Sequence, residues 1–204
     1  MFLLLSSHVV KAFLFGEKWL DSLHPPIKQK EVNFIAKNIG KVFEQNFKKS
    51  CPEDVLVYRP PDAAQSFDMS SKLRFSQHSP CDFIIFSGKL NTLWALELKT
   101  FEGSCSFERT KEDKGIIHYY QVESLKKFST YNNVCSGFLL DFRKTGNTYF
   151  LMIDEWDDLI NSVTKKSFNE NDLLNYANPI LIMKKKLKVN YRYDIEGFLT
   201  KTHY

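Results

Sequence analysis

The sequence predicts an α/β fold, a mixed β-sheet with helices on its faces. Three observations predict it. Two apolar runs, Phe83-Ile84-Ile85-Phe86 and Leu93-Trp94-Ala95-Leu96, flank the turn-forming stretch Ser87-Gly88-Lys89-Leu90-Asn91 and read as a hairpin. Stretches with helical spacing stand on both sides of that hairpin. Two further strand-like runs then follow the second helix, and this order packs helices against a sheet. The 204 residues suit one domain with elaborations, and 43% hydrophobic residues suffice for a real core. A formal charge of +4 permits a nucleic-acid partner without requiring one.

Residues 1–30 are an unassigned N-terminal extension. Met1–Phe15 is apolar but holds His8 and Lys11, lacks the basic start and small-residue cleavage site of a signal peptide, and falls short of the ~20 residues of a spanning helix. An accessory helix, no membrane span and a cytoplasmic location are expected. The core domain is predicted over residues 31–177. Val32, Ile35, Ile39, Val42, Phe43 and Phe47 give a helix from about Glu31 to Lys49, and Val55–Tyr58 a short strand. The polar, aperiodic segment 59–78, opened by Pro60-Pro61, is long enough to be functional. After the hairpin, Thr100–Gly115 reads as a charged connection. Ile117, Gln121, Leu125 and Phe128 mark a helix over Ile117–Ser129. Val134–Phe142 and Tyr149–Ile153 are strands around a turn at Gly146, and Asp154–Val163 starts another helix. Residues 178–204 read as a basic tail, with Lys184–Lys188 a solvated run and DNA contact as the alternative. The four cysteines contain no CxxC pair, which argues against zinc and for reduced thiols.

The hairpin carries the most informative residues. With its turn centred between Lys89 and Leu90, facing positions sum to 179: Phe86 opposes Leu93, Ile84 opposes Ala95, and Asp82 opposes Glu97. Opposed residues have Cβ atoms roughly 4.5–5.5 Å apart, where like charges are destabilising. A divalent cation removes that repulsion, and Mg²⁺ prefers carboxylate oxygens. Lys99 shares a face with Glu97, whereas Leu98 turns to the other face and leaves its carbonyl available as a ligand. Each residue also has a plain structural reading. Glu97 and Lys99 suit a buried ion pair, and Lys99 suits a strand end reaching water. Glu44 suits a helix-surface acid bridged to Lys41 or Lys48. Gln121 suits a core amide bonded to the backbone, and His118 an exposed helix-start residue.

Taken together, the ordered motifs resemble the PD-(D/E)xK nucleases and, within them, the RecU-type Holliday junction resolvases. Gly40-Lys41-Val42-Phe43-Glu44 resembles the family's glycine-to-acid helix. Val57-Tyr58-Arg59-Pro60-Pro61 resembles the strand entering its protruding stalk. Ser79-Pro80-Cys81-Asp82 is similar to its Ser-x-x-Asp, and Glu97-Leu98-Lys99-Thr100 to its Glu-Ala-Lys-Glu. His118-Tyr119-Tyr120-Gln121-Val122-Glu123 is similar to its His-x-x-Gln-x-Glu helix, and Gly137-Phe138-Leu139-Leu140 to its last core strands. The likeness spans about Lys37 to Ile160, with a stalk-like segment over 59–78 shorter and less basic than is usual.

The resemblance implies a restriction-endonuclease-like core and Mg²⁺- or Mn²⁺-dependent DNA cleavage leaving a 5′-phosphate and a 3′-hydroxyl. It implies a homodimer acting on four-way junctions in recombination and repair, in a bacterium or its phage. Asp82, Glu97 and the Leu98 carbonyl become metal ligands, with Glu44 assisting, and Lys99 and Gln121 complete the catalytic set. Lys48, Lys49, Arg59, Lys72, Arg74 and Lys89 are candidate phosphate contacts. The competing expectations are another nuclease of this superfamily cutting duplex DNA, an inactive DNA-binding relative, and a structural protein with a buried ion-pair hairpin.

Overall fold

The computed structural model describes residues 29–61 and 78–203, with side chains from residue 39 onward. Most of the N-terminal extension and the bulk of the stalk-like segment, including Lys72 and Arg74, lie outside the described residues. Helix α1 (Gln29–Ser50) is followed by β1 (Leu56–Tyr58), β2 (Phe83–Ser87), β3 (Thr92–Phe101), β4 (Ser104–Ser106) and α2 (Tyr119–Ser129). Next come β5 (Val134–Phe142), β6 (Asn147–Met152), a short 3₁₀ turn, α3 (Trp156–Ser162), β7 (Ser167–Asn169) and α4 (Glu170–Tyr176). The chain ends with β8 (Ile180–Leu181), β9 (Lys184–Lys186), β10 (Tyr191–Tyr193) and α5 (Ile195–Thr202).

The fold is mixed α/β, as the sequence predicts. Its main sheet has the order β1-β2-β3-β5-β6-β8. Only β3 and β5 pair in parallel; the other pairings in that sheet are antiparallel. A parallel pair needs a crossover, and α2 supplies it. The two central strands read as near-continuous apolar runs because both of their faces are covered. On one face Ala95, Phe101, Phe138 and Leu140 pack with Val122 and Leu125 of α2 and with Trp156 and Leu159 of α3. On the other, Trp94, Leu96, Leu98 and Leu139 pack with Phe43 and Phe47 of α1 and with Phe198 and Leu199 of α5.

The hairpin register is the predicted one. Phe86 pairs with Leu93, Ile84 with Ala95, and Phe83 with Leu96. The turn closes with Asn91 at φ 48, a left-handed conformation that Asn tolerates better than most residues. Pairing of β2 stops at Phe83, so Asp82 stands just beyond its end, with its N–H donating to the Leu96 carbonyl at 3.0 Å.

Three expectations are corrected. The stretch Thr100–Gly115 is not wholly a connection, because β3 runs on to Phe101 and β4 pairs with β7. Helix α2 begins at Tyr119 rather than Ile117, because Ile117 is held in a bridge with Phe107. Residues 178–204 are not a tail. Strand β8 extends the main sheet, and Ile182, Tyr193, Ile195, Phe198 and Leu199 are buried. The Trp94 indole N–H donates to the Thr202 hydroxyl at 2.8 Å, tying the chain end to the central strand. The cluster of lysines masked this apolar spacing. Lys184 itself is not solvated, since it forms a 2.7 Å ion pair with Asp141. All four cysteines are free thiols. Among the described residues no helix is long and apolar enough to cross a membrane.

Gly137 of β5 marks the tightest packing around the parallel pair. A Cβ there would lie 2.2 Å from the Leu151 carbonyl oxygen and 2.8 Å from the Phe150 ring. Neither backbone oxygen nor buried ring can yield cheaply. Gly137→Ala is therefore expected to cost about 3 kcal/mol and to lower the melting temperature by roughly 6–12 °C. A wild-type melting curve would contradict this packing.

Candidate active site

At the end of the β2–β3 hairpin Glu97, Lys99 and Gln121 meet, and Asp82 lies on the Leu98 N–H. Asp82 turns its carboxylate across the end of β2, where Oδ2 accepts the Leu98 N–H at 2.8 Å. The Leu96 carbonyl and the Leu98 N–H both point toward the β2 side of β3. In an antiparallel strand a residue's N–H and C=O face the same neighbour. The Leu98 carbonyl therefore faces the open edge past Phe83, beside Asp82.

Glu97 and Lys99 project to the opposite face of β3 from Leu98, toward α2. Glu97 is only 4% exposed. Lys99 Nζ lies 3.0 Å from Glu97 Oε1. The Gln121 side-chain amide donates to the same oxygen. Gln121 is itself oriented, because its Oε1 accepts the His118 N–H at 2.9 Å. Both plain readings are thus present in the geometry: Glu97 and Lys99 form a buried ion pair, and Gln121 bonds to the backbone. The same contacts point Gln121 and Lys99 at one carboxylate oxygen.

The start of α2 is braced by a residue the sequence reading missed. Glu108 accepts the Tyr119 N–H at 2.8 Å and meets His118 Nδ1 at 2.7 Å. Glu108 lies in the charged stretch before α2, where no periodicity distinguishes it from its neighbours. Beside this brace, Tyr120 stacks on His118 and on His78, with centroids 5.6 Å and 4.5 Å apart.

Electrostatics single out Glu97. Its carboxyl is pushed up from 4.5 to about 7, first by burial and further by the neighbouring charges of Asp82 and Glu44, against the lowering effect of Lys99. Lys99 lowers it more than Asp82 raises it, so burial carries the net rise. Glu44 reaches the site electrostatically, but its ion-pair partner is Arg59, at 3.0 Å, rather than Lys41 or Lys48. Arg59 is therefore occupied by Glu44 as well as being a candidate phosphate contact. Burial, with Glu97 and Asp82 adding to it, drives the Cys81 thiol up to about 12, so it is protonated at neutral pH.

Of the remaining candidates, Lys48 and Lys49 occupy the exposed last turn of α1. Lys89 sits in the hairpin turn, at the other end of β2 from Asp82. The five residues of β2 span about 17 Å, so Lys89 does not join the site.

Among the described residues no three His, Cys, Asp or Glu side chains converge closely enough to hold a metal ion unaided. The set foreseen from the sequence is different: two carboxylates and a backbone carbonyl. These are hard oxygen donors of the kind Mg²⁺ and Mn²⁺ take with several waters retained. By the chemistry of this donor set, the residues present fit such an ion.

No protein-family model matches the chain. It is similar to the SPbeta prophage-derived uncharacterized protein YotM of Bacillus subtilis (strain 168), with 32% identity over 171 residues, covering 78% of this chain and 83% of that protein. At that identity and coverage, the chain belongs to the family of YotM.

Proposed function

We propose that this protein is a divalent-metal-dependent DNA endonuclease with a restriction-endonuclease-like core, and that its substrate is the four-way junction. One observation carries the reading. A carboxylate buried to 4% exposure is held by a lysine and a glutamine at the end of a hairpin whose other strand sets a second carboxylate on the neighbouring Leu98 N–H. The sequence motifs and their order add to it, and the prophage origin of YotM suits a phage enzyme acting on DNA in a bacterial cytoplasm.

In this reading Asp82, Glu97 and the Leu98 carbonyl would hold Mg²⁺ or Mn²⁺, with Glu44 assisting. When bound, the ion supplies Lewis acidity toward a phosphoryl oxygen and lowers the pKa of water. The chain's own groups do the rest. Glu97 must be ionised to hold a cation, so loading the site releases a proton near neutral pH. Gln121 fixes the Glu97 rotamer, because its own amide is locked by the His118 N–H. Lys99 sets a positive charge 3.0 Å from Glu97, where it can orient the attacking water and stabilise the charge that develops on the phosphorus oxygens. A two-fold dimer supplies the two opposed cuts that a near-symmetric junction needs.

The buried Glu97–Lys99 pair also favours a purely structural reading, and one assay separates the two. A labelled four-way junction and matched linear duplex are incubated with Mg²⁺, Mn²⁺ or chelator. Paired symmetric cuts in the junction, dependent on the ion, are the expected result. Equal cutting of duplex replaces the junction substrate with a restriction-like one. No cleavage with either ion leaves the ion pair structural and ends the nuclease reading.

A further inference from the structure

The β9–β10 hairpin carries a charge pattern that the site chemistry does not use. Its register places Lys185 directly opposite Arg192 on the exposed face. Like charges in that position repel, so the pair is costly unless an anion lies over it. On the other face Lys184 is neutralised, bonded to Asp141 at 2.7 Å and lying 4.9 Å from the Tyr191 ring centroid, while Lys186 shares that face nearer the hairpin tip and stays exposed. The hairpin is also fixed in place. The Arg192 guanidinium donates to the Lys49 carbonyl at the end of α1, and the Tyr193 N–H donates to the Ser50 hydroxyl at 3.0 Å.

Those two ties bring the hairpin's cations beside Lys48 and Lys49. The result is a strip of six cations: Lys48, Lys49, Lys185, Lys186, Lys188 and Arg192. No acid among the described residues forms an ion pair with any of them. A shallow cavity of about 350 Å³ opens between Lys185 and Arg192, bordered by Tyr193 and Asp194. The Asp194 carboxylate is engaged in capping α5 through the Gly197 N–H at 3.0 Å.

We propose that this strip is a docking surface for the phosphate backbone of a duplex DNA arm, continuous with the active site. The inference rests on the nuclease reading above and adds the C-terminal hairpin to it. Continuity along α1 favours DNA over other anions. Lys48 lies one helical turn, about 6 Å of rise, beyond Glu44 and on the same side of the helix. Exposed cations on the last turn of α1 and on both faces of the adjoining hairpin suit a polyanion. The apolar residues at the hairpin tip, Leu187 and Val189, are too few to anchor a membrane unaided.

The test is DNA binding by fluorescence anisotropy, with Ca²⁺ in place of Mg²⁺, over a range of salt. It compares wild type, the triple variant Lys185→Glu/Lys186→Glu/Lys188→Glu, and the milder triple variant with Gln at the same positions. Melting curves confirm that each is folded. With three phosphate contacts removed, the slope of log affinity against log salt should shrink by about 3, and affinity near 100 mM salt should fall at least about tenfold. Wild-type affinity and slope in the folded variants, with junction cleavage intact, would overturn the strip and leave the nuclease reading standing. Failure of the wild type to bind any DNA would overturn both. Binding of wild type to anionic phospholipid vesicles but not to DNA would reassign the surface to membranes and overturn the proposal.

Discussion

Asp82→Asn is expected to lower metal-dependent cleavage at least about a thousandfold, roughly 4 kcal/mol of transition-state stabilisation, while leaving the protein folded. The substitution keeps the shape of the side chain. Its amide oxygen can still accept the Leu98 N–H that Asp82 Oδ2 accepts at 2.8 Å. What disappears is the negative charge, and with it one hard anionic donor for the ion. The same loss relieves Glu97, because Asp82 is one of the charges holding that carboxyl up near 7. Without added metal, the variant should therefore melt no lower than wild type at pH 8. With added Mg²⁺ it should lack whatever rise in melting temperature the wild type gains from binding the ion. Junction cleavage and melting, each with and without Mg²⁺, check all three points. Full activity would remove Asp82 from the site. A melting temperature many degrees lower would give it the structural role instead.

The hairpin was legible because its information is local. A short turn fixes register, and register fixes which residues face each other, so the pairs from Phe86–Leu93 to Phe83–Leu96 could be placed from the turn alone, whereas Asp82, expected opposite Glu97, stands just past the last pair and accepts the Leu98 N–H instead. Helix α1 and strand β5 were legible for the same reason, since period and apolarity run unbroken over many residues. Elements built from two or three residues were not. Strands β4, β7 and β8 are too short to show an alternation, and they exist only because a distant strand offers them partners. The C-terminal segment was hidden by its charge. Lysines at 184, 185, 186 and 188 read as a solvated run, yet the apolar residues that bury the segment, Ile182, Ile195 and Phe198, stand on either side of them. Within the site, Glu97, Lys99 and Gln121 were foreseen as a group. Arg59 as the partner of Glu44, and Glu108 as the brace of α2, were not. Both contacts join residues at least ten positions apart across irregular backbone, where spacing carries no signal.

Lys99→Met should remove most turnover, about a hundredfold to a thousandfold, as loss of a fixed charge aimed at a developing oxyanion does. The same variant reads the electrostatics of Glu97 directly through stability. Glu97 carries a folded-state pKa of about 7 against an ordinary 4.5, so protonation favours the folded state. In the wild type without metal, its contribution is therefore fully present below about pH 4.5 and is lost as pH rises through 7. Lys99 is the cation opposing that shift, from 3.0 Å away. Methionine keeps the apolar stem but leaves the carboxylate without its counter-charge, so the folded-state pKa moves higher still and the loss extends to higher pH. Breaking a buried pair in this way costs about 3 kcal/mol where Glu97 is charged. The melting temperature of Lys99→Met should thus fall well below wild type at pH 8 and converge toward it by pH 5.5. Adding Glu97→Gln removes the charge that needs a partner, so the double variant should recover stability at pH 8 and remain inactive. A single variant that melts in parallel with wild type from pH 5.5 to 8, or a double variant no more stable than the single one at pH 8, would show that the two groups are not coupled. Glu97 would then have no buried charge for either a lysine or a metal ion to answer.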